Sequence, residues 1–176
     1  MSVRYVGYIA MSLDGFVADS AGSVGWLDPF NSALAEGGGD GGYGEFIADV
    51  DALLVGRTTY EQVMGWGWPY EDRKGYVLTR AGGFTGEHVA AAGSIDHLRA
   101  AIEAADHKKV WIMGGGEAQR AALDAGMFHS IQLFIMPILL GGGAPMMAPG
   151  ATRGLDLTAA DRLPGGIMTL TYDFKE

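Results

Sequence analysis

The residues Val110-Trp111-Ile112-Met113-Gly114-Gly115-Gly116-Glu117 place an apolar run directly before three glycines. Such a run is typical of a buried strand, and the Ala-rich segment from Glu117 to Ala125, which Gly126 can end at its C′ position, predicts a helix. A strand that turns straight into a helix brings backbone N–H groups and the positive end of the helix dipole to one edge of a sheet. The stretch therefore predicts a phosphate-binding turn, with an ordinary tight turn as the alternative.

Two other predicted strand ends carry residues suited to binding phosphate. Leu53-Leu54-Val55 is followed by Gly56-Arg57-Thr58-Thr59-Tyr60-Glu61, where the arginine offers a forked guanidinium and the threonines offer hydroxyl and N–H groups. Tyr76-Val77-Leu78 is followed by Thr79 and Arg80. Because ligands of open α/β sheets bind at the carboxyl ends of the strands, the three ends together suggest a dinucleotide with an extra phosphate. The alternative for Arg57 is that it lies at the start of a capped helix with its side chain in solvent and binds no phosphate.

The remaining pattern predicts an α/β domain. Apolar segments predict strands at Val3–Ala10, Ala52–Gly56, Tyr76–Thr79, Val110–Met113, Ile131–Leu140 and Ile167–Phe174. Helical spacing predicts a helix from Ile95 to Ala105 with Ser94 as its N-cap. Strands that are apolar on both faces and alternate with helices indicate a largely parallel sheet, whereas the period of two after Pro164 indicates an antiparallel last strand. We expect a single domain over residues 1–176.

Composition excludes several classes of protein. The 176 residues include no Cys, which removes disulfides, Cys-ligated zinc and thiol nucleophiles. The four histidines lack ligand spacing, so no metal site is expected. A net charge of −9 without a run of Lys or Arg argues against nucleic acid as a partner. No signal peptide or membrane span is recognisable, so we expect a cytoplasmic protein. The glycine-rich segment around residues 37–44 predicts a flexible surface loop.

Candidate substrate-binding residues are fewer and less specific. Asp14 follows the first predicted strand in Ser12-Leu13-Asp14-Gly15, where it could assist substrate binding or deliver a proton, or could simply form a turn. Trp26 could line a flat cleft for a ring, and Tyr60 could face that cleft from the helix after Gly56. Aromatic residues at such spacing are more often part of the core.

Five motifs in chain order resemble those of the dihydrofolate reductase-like superfamily. The resemblance is strongest to stand-alone relatives of the reductase domain of the riboflavin-biosynthesis enzyme, the RibD C-terminal domain, and runs from about Val3 to Phe174. The motifs are Ser-Leu-Asp-Gly-Phe-Val-Ala from Ser12, Gly-Arg-Thr-Thr-Tyr-Glu from Gly56, Val-Leu-Thr-Arg from Val77, Met-Gly-Gly-Gly-Glu from Met113 and Pro-Ile-Leu-Leu-Gly-Gly-Gly from Pro137.

The resemblance implies a three-layer fold with a mainly parallel central sheet, flanking helices and an antiparallel C-terminal hairpin. It also implies a homodimer and NADPH, rather than NADH, as the hydride donor. Gly56 to Thr59 would lie against the cofactor phosphates, Arg57 and the Thr79-Arg80 loop near the 2′-phosphate, and Met113 to Glu117 under the pyrophosphate. The nicotinamide would lie near Ala10 and Val17.

The activity implied is reduction of a small heterocyclic or carbonyl substrate, such as a pterin or a ribosylaminopyrimidine. In dihydrofolate reductases a Trp-containing loop is followed by a helical carboxylate; here the Trp is Trp26 and the position of the acid falls on Asn31. This departure argues against folate reduction. Two alternatives stay open: a non-catalytic ligand-binding protein of the same fold, and a true dihydrofolate reductase.

Overall fold

The computed structural model of the chain describes residues 2–70 and 73–175. Within these residues, helices and strands alternate through the middle of the chain, as the sequence predicts. The helices are α1 Asp28–Glu36, α2 Tyr43–Ala48, α3 Arg57–Met64, α4 Ile95–Ala104 and α5 Gly116–Asp124. The strands are β1 Arg4–Ser12, β2 Phe16–Ala18, β3 Ala52–Gly56, β4 Lys74–Leu78, β5 Val89–Ala92, β6 Lys109–Gly114, β7 Phe128–Met136, β8 Ala144–Pro145, β9 Leu155–Arg162 and β10 Met168–Phe174.

The chain divides into two compact units, and each is described by itself. Unit 1 holds the residues up to Val6 together with Val50–His129 and Met147–Gly150. Unit 2 holds Gly7–Asp49, Ser130–Met146 and the residues from Ala151 onward. Strand β1 begins in unit 1 and ends in unit 2.

Unit 1 is built on parallel strands in the order β5-β4-β3-β6. The central strand β3 is buried along Ala52 to Val55, which explains why its sequence is apolar on both faces. Helix α5 packs against β3 and β6, helix α4 against β4 and β5, and helix α3 against β3 and β4. Leu98 and Ile102, spaced four residues apart on α4, are buried as the helical spacing predicts.

The predicted helix ends in unit 1 are confirmed. Ser94 occupies the N-cap position of α4, although its side chain makes no capping hydrogen bond among the described residues. Ala125 is the C-cap of α5, and Gly126 follows it with φ of 66°, the left-handed conformation that favours glycine at C′. The N–H of Met127 then donates to the carbonyl of Ala122 at 2.9 Å, which closes the end of the helix.

Unit 2 contains antiparallel pairs. Strand β10 lies between β7 and β9 and pairs antiparallel with both, which confirms the predicted C-terminal hairpin. Strand β2 pairs antiparallel with β8. The predicted strand Ile131–Leu140 instead runs from Phe128 to Met136, because Pro137 cannot donate a ladder hydrogen bond and ends the strand. The core of this unit is a cluster of Phe134, Met136 and Ile167.

The glycine-rich segment 37–44 is more ordered than its composition predicts. Tyr43 and Gly44 form the first residues of α2. The Asp40 carboxylate accepts hydrogen bonds from the N–H groups of Gly42 and Gly44 at 2.9 and 2.7 Å, so it caps this short helix. These backbone hydrogen bonds, that of Gly44 first, lower the pKa of Asp40. The predicted flexible surface loop therefore ends at Tyr43, where α2 begins, and does not extend to Gly44.

These observations confirm the predicted fold class: a mostly parallel sheet with packed helices and antiparallel strands at the C-terminal end. None of the helices in the described part of the chain is long and apolar enough to cross a membrane.

Candidate functional site

The carboxyl ends of β3 and β6 bring two of the predicted phosphate motifs into direct contact. The two strands are parallel neighbours, so Gly56 and Gly114 leave the sheet at the same edge. A Cβ placed on Gly56 would lie 3.5 Å from the Ala118 Cβ, 3.7 Å from the Gly114 carbonyl and 3.8 Å from the Gly115 nitrogen. The N–H of Gly115 donates to Oγ1 of Thr59 at 3.0 Å. The first turn of α3 and the glycine turn before α5 therefore form one connected edge.

Both helices begin at this edge with open N-termini. Gly56 is the N-cap residue of α3 and Gly115 that of α5, and in the described structure no side chain caps either helix. Gly114 has φ of 147°, which a residue with a side chain rarely adopts. Open first-turn N–H groups together with two helix dipoles give this edge a positive potential suited to an anion.

Two arginines border the same edge. The Nε of Arg57 donates to Glu61 at 2.7 Å, and the guanidinium lies 5.2 Å from the centre of the Phe84 ring. The Arg80 guanidinium lies 3.4 Å from the Glu117 carboxylate, with both side chains more than four-fifths exposed. Ion pairs at such exposure contribute little to stability, so either arginine can be recruited by a ligand at small cost.

The edge fits a dinucleotide. The residues predicted to lie against the phosphates, Gly56 to Thr59, Thr79-Arg80 and Met113 to Glu117, all belong to unit 1 and follow three neighbouring parallel strands. A Cβ at Gly115 would lie 3.4 Å from Oγ1 of Thr59, which shows how closely the two turns approach each other. Glycine backbone, helix N-termini and two cations form the set of groups that a pyrophosphate with an additional phosphate requires.

Tyr60 is placed by its contacts in the core of unit 1. Its side chain is 5% exposed, and its hydroxyl donates to the carbonyl of Glu87 at 3.1 Å. Its ring packs against Trp68 and Phe84. With both the ring and the hydroxyl engaged, the residue joins α3 to the loop after β4, and nothing in its surroundings favours the predicted substrate contact.

The carboxylate of Asp14, the predicted catalytic residue, is hydrogen-bonded to other residues of unit 2. Its carboxylate accepts hydrogen bonds from the Ser12 hydroxyl at 2.6 Å, the Gly141 N–H at 2.7 Å and the Leu140 N–H at 3.0 Å. Ser12 is fully buried, and its Oγ accepts the N–H of Phe16 at 3.0 Å. The hydrogen bond from Ser12, followed by those from the two backbone N–H groups, lowers the pKa of Asp14. An ionised carboxylate that is held in this way suits a turn anchor better than a proton donor.

Sequence reasoning assigned no role to Gly141 and Gly143, and the structure supplies one for each. Gly141 gives its N–H to Asp14. Gly143 has φ of 137°, and a Cβ there would lie 2.0 Å from the carbonyl oxygen of Ala18, so only glycine fits.

Ser12 was also missed as a functional residue. A polar residue at the buried end of an apolar strand was the available signal.

The other predicted residues of unit 2 lie around its core. Ala10 and Trp26 both pack against the cluster of Phe134, Met136 and Ile167. The indole Nε1 of Trp26 is buried and lacks a hydrogen-bond partner within the described residues. Val17 lies on β2 and is partly buried. No group of three His, Asp or Glu side chains in the described part of the chain is arranged to hold a metal ion.

The sequence matches the family model of the RibD C-terminal domain over residues 94–168. The Bacillus subtilis protein YwjB is 34% identical over 150 residues, which cover 83% of each chain. A solved structure from a Shewanella species, a candidate riboflavin biosynthesis protein, superposes with a TM-score of 0.86 at 24% identity, covering 99% of this chain and all of the other.

A second solved structure is a diaminohydroxyphosphoribosylaminopyrimidine deaminase/5-amino-6-(5-phosphoribosylamino)uracil reductase from Thermotoga maritima. It has a TM-score of 0.70 at 15% identity over 98% of this chain and 57% of its own. At these identities the two solved structures establish the shared fold.

The Thr59–Gly115 hydrogen bond gives the first testable prediction. Thr59→Val keeps the shape of the side chain but leaves the part-buried Gly115 N–H unpaired, which costs about 1–3 kcal/mol of unfolding free energy. Thr58→Val, at the exposed neighbouring position, should change stability by less than about 0.5 kcal/mol. Urea denaturation of both variants measures the difference. Equal effects of the two substitutions would contradict the assignment.

The Asp14 turn gives the second prediction. Folding lowers the pKa of Asp14, so its ionised form stabilises the native state at pH values above 3.8, the pKa of this carboxyl in the unfolded chain. This stabilisation is lost as the pH falls from 3.8 through the lower pKa of the folded state. Asp14→Asn should therefore lower the denaturation midpoint at neutral pH and converge with the parent protein in acid. Glu36→Gln, at an exposed helix end, is the control. A deficit independent of pH would argue against an ionised anchor.

Proposed function

Since the chain belongs to the RibD C-terminal domain family, we propose that it is an NADPH-dependent reductase of a small heterocyclic substrate of the pyrimidine or pterin type. The observation that carries the proposal is the edge at which Thr59 joins two uncapped helix N-termini across the glycine turns. Such an edge matches the pyrophosphate of a nicotinamide dinucleotide. Its position after neighbouring parallel strands is where α/β folds bind nucleotides.

The preference for NADPH rests on Arg57 and Arg80. Each arginine lies near the edge beside an exposed carboxylate, Glu61 or Glu117, and the weakness of these exposed pairs leaves the guanidinium available to a phosphate. A 2′-phosphate offers a guanidinium two parallel hydrogen bonds, which are stronger than an exposed pair with a carboxylate. In a chain with a net charge of −9, these two side chains supply local positive charge at the edge.

Catalysis then requires orientation more than acid–base chemistry. When bound, the nicotinamide supplies a hydride, and the chain contributes alignment and exclusion of water. The glycine turns and helix N-termini fix the position of the phosphates. Asp14 is ionised and committed to Ser12, Leu140 and Gly141, so we propose that it shapes the turn and that water supplies any proton.

The proposed substrate contact in unit 2 is Trp26, whose buried Nε1 is a donor that a ring nitrogen or carbonyl of the substrate can satisfy. The position expected for the acid of a folate reductase holds Asn31, an exposed residue of α1. Asp28 is the first residue of that helix, with Pro29 directly after it, and is also exposed. These placements favour a pyrimidine over dihydrofolate.

We also propose that the protein is a homodimer assembled through the β9–β10 hairpin. All eight residues of β9 are exposed, and β10 is its one paired neighbour among the described strands. Leu155 and Leu157 lie opposite Phe174 and Tyr172, which gives one face of the hairpin an apolar stripe. A long edge strand with an apolar stripe on one face can pair with a second copy.

The cofactor assignment is tested with the arginines. Arg57→Ala and Arg80→Ala should each weaken NADPH binding about tenfold, with a much smaller effect on NADH, because the lost partner is the 2′-phosphate. Arg153→Ala, at an exposed position of unit 2, should change neither affinity. Quenching of tryptophan fluorescence during titration measures the dissociation constants.

The outcomes separate the candidate functions. Equal loss for both cofactors would remove the 2′-phosphate role, and absent binding of both would remove the reductase proposal. NADPH binding with consumption in the presence of a ribosylaminopyrimidine or a pterin supports the proposal. NADPH binding without turnover of any tested substrate would support the non-catalytic alternative, and turnover of dihydrofolate would support the folate reductase.

The dimer is tested at Leu157, which is 56% exposed. Leu157→Asp places a charge in the proposed interface and should convert dimer to monomer in light scattering after gel filtration, with unchanged circular dichroism. Trp66→Asp, at an equally exposed apolar residue of unit 1, should leave the dimer intact. A monomeric parent protein, or a dimer that survives the first substitution, would contradict this interface.

A further inference from the structure

The loop after β4 places an aromatic ring beside one of the two arginines at the edge. Phe84 belongs to this loop, within unit 1, and the Arg57 guanidinium carbon lies over its ring, 5.2 Å from the ring centroid. The face of an aromatic ring attracts a cation, so this is a cation–π contact. Phe84 is partly buried, and it lies outside the glycine turns and the Thr79-Arg80 pair to which the phosphates are assigned.

Tyr60, the buried tyrosine of α3, fixes the position of this ring. The rings of Tyr60 and Phe84 are perpendicular, with their centroids 5.8 Å apart, a geometry that aromatic pairs favour. The Tyr60 hydroxyl donates to the carbonyl of Glu87 at 3.1 Å, three residues further along the loop. A Cβ at Gly86 would lie 2.5 Å from the Tyr60 hydroxyl oxygen, so the loop approaches this closely because glycine stands there. Phe84 is therefore anchored to the core of unit 1.

The anchored ring restrains the guanidinium of Arg57 on one face. Arg57 and Tyr60 are three residues apart on α3, so they are neighbours on the helix surface and Phe84 contacts both. Glu61 accepts the Nε–H of Arg57 at 2.7 Å, which occupies one edge of the guanidinium. Within residues 2–70 and 73–175, no hydrogen bond occupies its two Nη groups. Such a pair of donors can bind two oxygens of one phosphate.

The two arginines at the edge are therefore not equivalent. The side chain of Arg80 is 89% exposed, whereas that of Arg57 is 46% exposed and also contacts a ring. A long side chain that moves freely loses conformational entropy when a ligand orders it, and a side chain that is already restrained loses less. Arg57 is the arginine whose position the protein restrains before a ligand arrives.

We propose that Phe84 is a positioning residue that strengthens the preference of the edge for a 2′-phosphorylated dinucleotide. It acts through Arg57, because its ring restrains the guanidinium while the two Nη groups stay available to the 2′-phosphate. The inference rests on the proposed NADPH-dependent reductase. It goes beyond that proposal by making the choice of cofactor depend on an apolar residue that cannot itself form a hydrogen bond with a phosphate.

The experiment is isothermal titration calorimetry of the full-length protein with NADPH and, separately, with NADH. Phe84→Leu keeps an apolar side chain against Tyr60 but removes the aromatic face. It should weaken NADPH about two- to fivefold and change NADH by less than about twofold, because only NADPH carries the 2′-phosphate. Phe84→Tyr keeps the ring and should keep the parental affinity for NADPH.

Two further variants separate positioning from packing. In a double-mutant cycle, Phe84→Leu should cause no further loss of NADPH affinity once Arg57→Ala is present, because the ring acts through that side chain. Trp68 also packs against Tyr60, with a centroid distance of 6.1 Å, and its Nε1 donates to the carbonyl of Arg73. Trp68→Phe should therefore lower the melting temperature and leave the ratio of NADPH to NADH affinity unchanged.

The outcomes also distinguish this inference from the proposed function. Unchanged NADPH affinity in Phe84→Leu, an equal loss for both dinucleotides, or additive losses in the double variant would each overturn the role of Phe84. If Arg57→Ala still weakens NADPH selectively in those cases, the cofactor assignment stands without the positioning residue. A parent protein that binds neither dinucleotide would overturn both proposals.

Discussion

The structure of unit 1 depends on the close approach of two chain turns at the carboxyl edge of its sheet. Strands β3 and β6 are parallel neighbours, and each passes directly into a helix, so two helix N-termini must share one narrow space. Gly114 makes this possible because its φ of 147° is a conformation that a residue with a side chain rarely adopts. Thr59 then joins the turns through a single side chain, which accepts the Gly115 N–H. The proposed phosphate contacts of Gly56 to Thr59 and of Met113 to Glu117 take their positions from this arrangement.

The acidic balance of the chain does not conflict with an anionic ligand. Arg57 and Arg80 are both paired to carboxylates at exposed positions, where ion pairs are weak. Dipoles and backbone N–H groups supply the remaining positive potential without adding net charge. A protein with a net charge of −9 can therefore present a positive edge locally, and the exchange of carboxylate for phosphate keeps each arginine satisfied in both states.

The sequence predicts the fold well where burial controls the pattern. Strand β3 has the predicted bounds, and β6 and the helices α4 and α5 lie within one or two residues of the prediction. Strand β5 was missed because three of the four residues in its Val-Ala-Ala-Ala sequence are alanines, which are depleted in strands, and β9 was missed because every one of its residues is exposed. In the candidate site, the motifs predicted the two glycine turns that meet at the edge of β3 and β6 and the two arginines beside them, and the binding roles of these residues stay predictions. Helical spacing could not show that Tyr60 is buried. Its burial depends on contacts with Trp68 and Phe84, which both lie outside α3.

The two Gly-Gly-Gly sequences show why a motif alone does not define a binding site. Residues 114–116 and 141–143 have the same composition, and both follow apolar segments. At the first, the N–H of Gly115 donates to the neutral hydroxyl of Thr59, which brings no negative charge to the N-terminus of α5. At the second, the Asp14 carboxylate already occupies the N–H groups of Leu140 and Gly141 and neutralises the position that an anion would take. The folded chain, and not the shared motif, therefore shows that an internal carboxylate occupies the second turn, whereas the first turn lies at the edge where we propose that the phosphates bind.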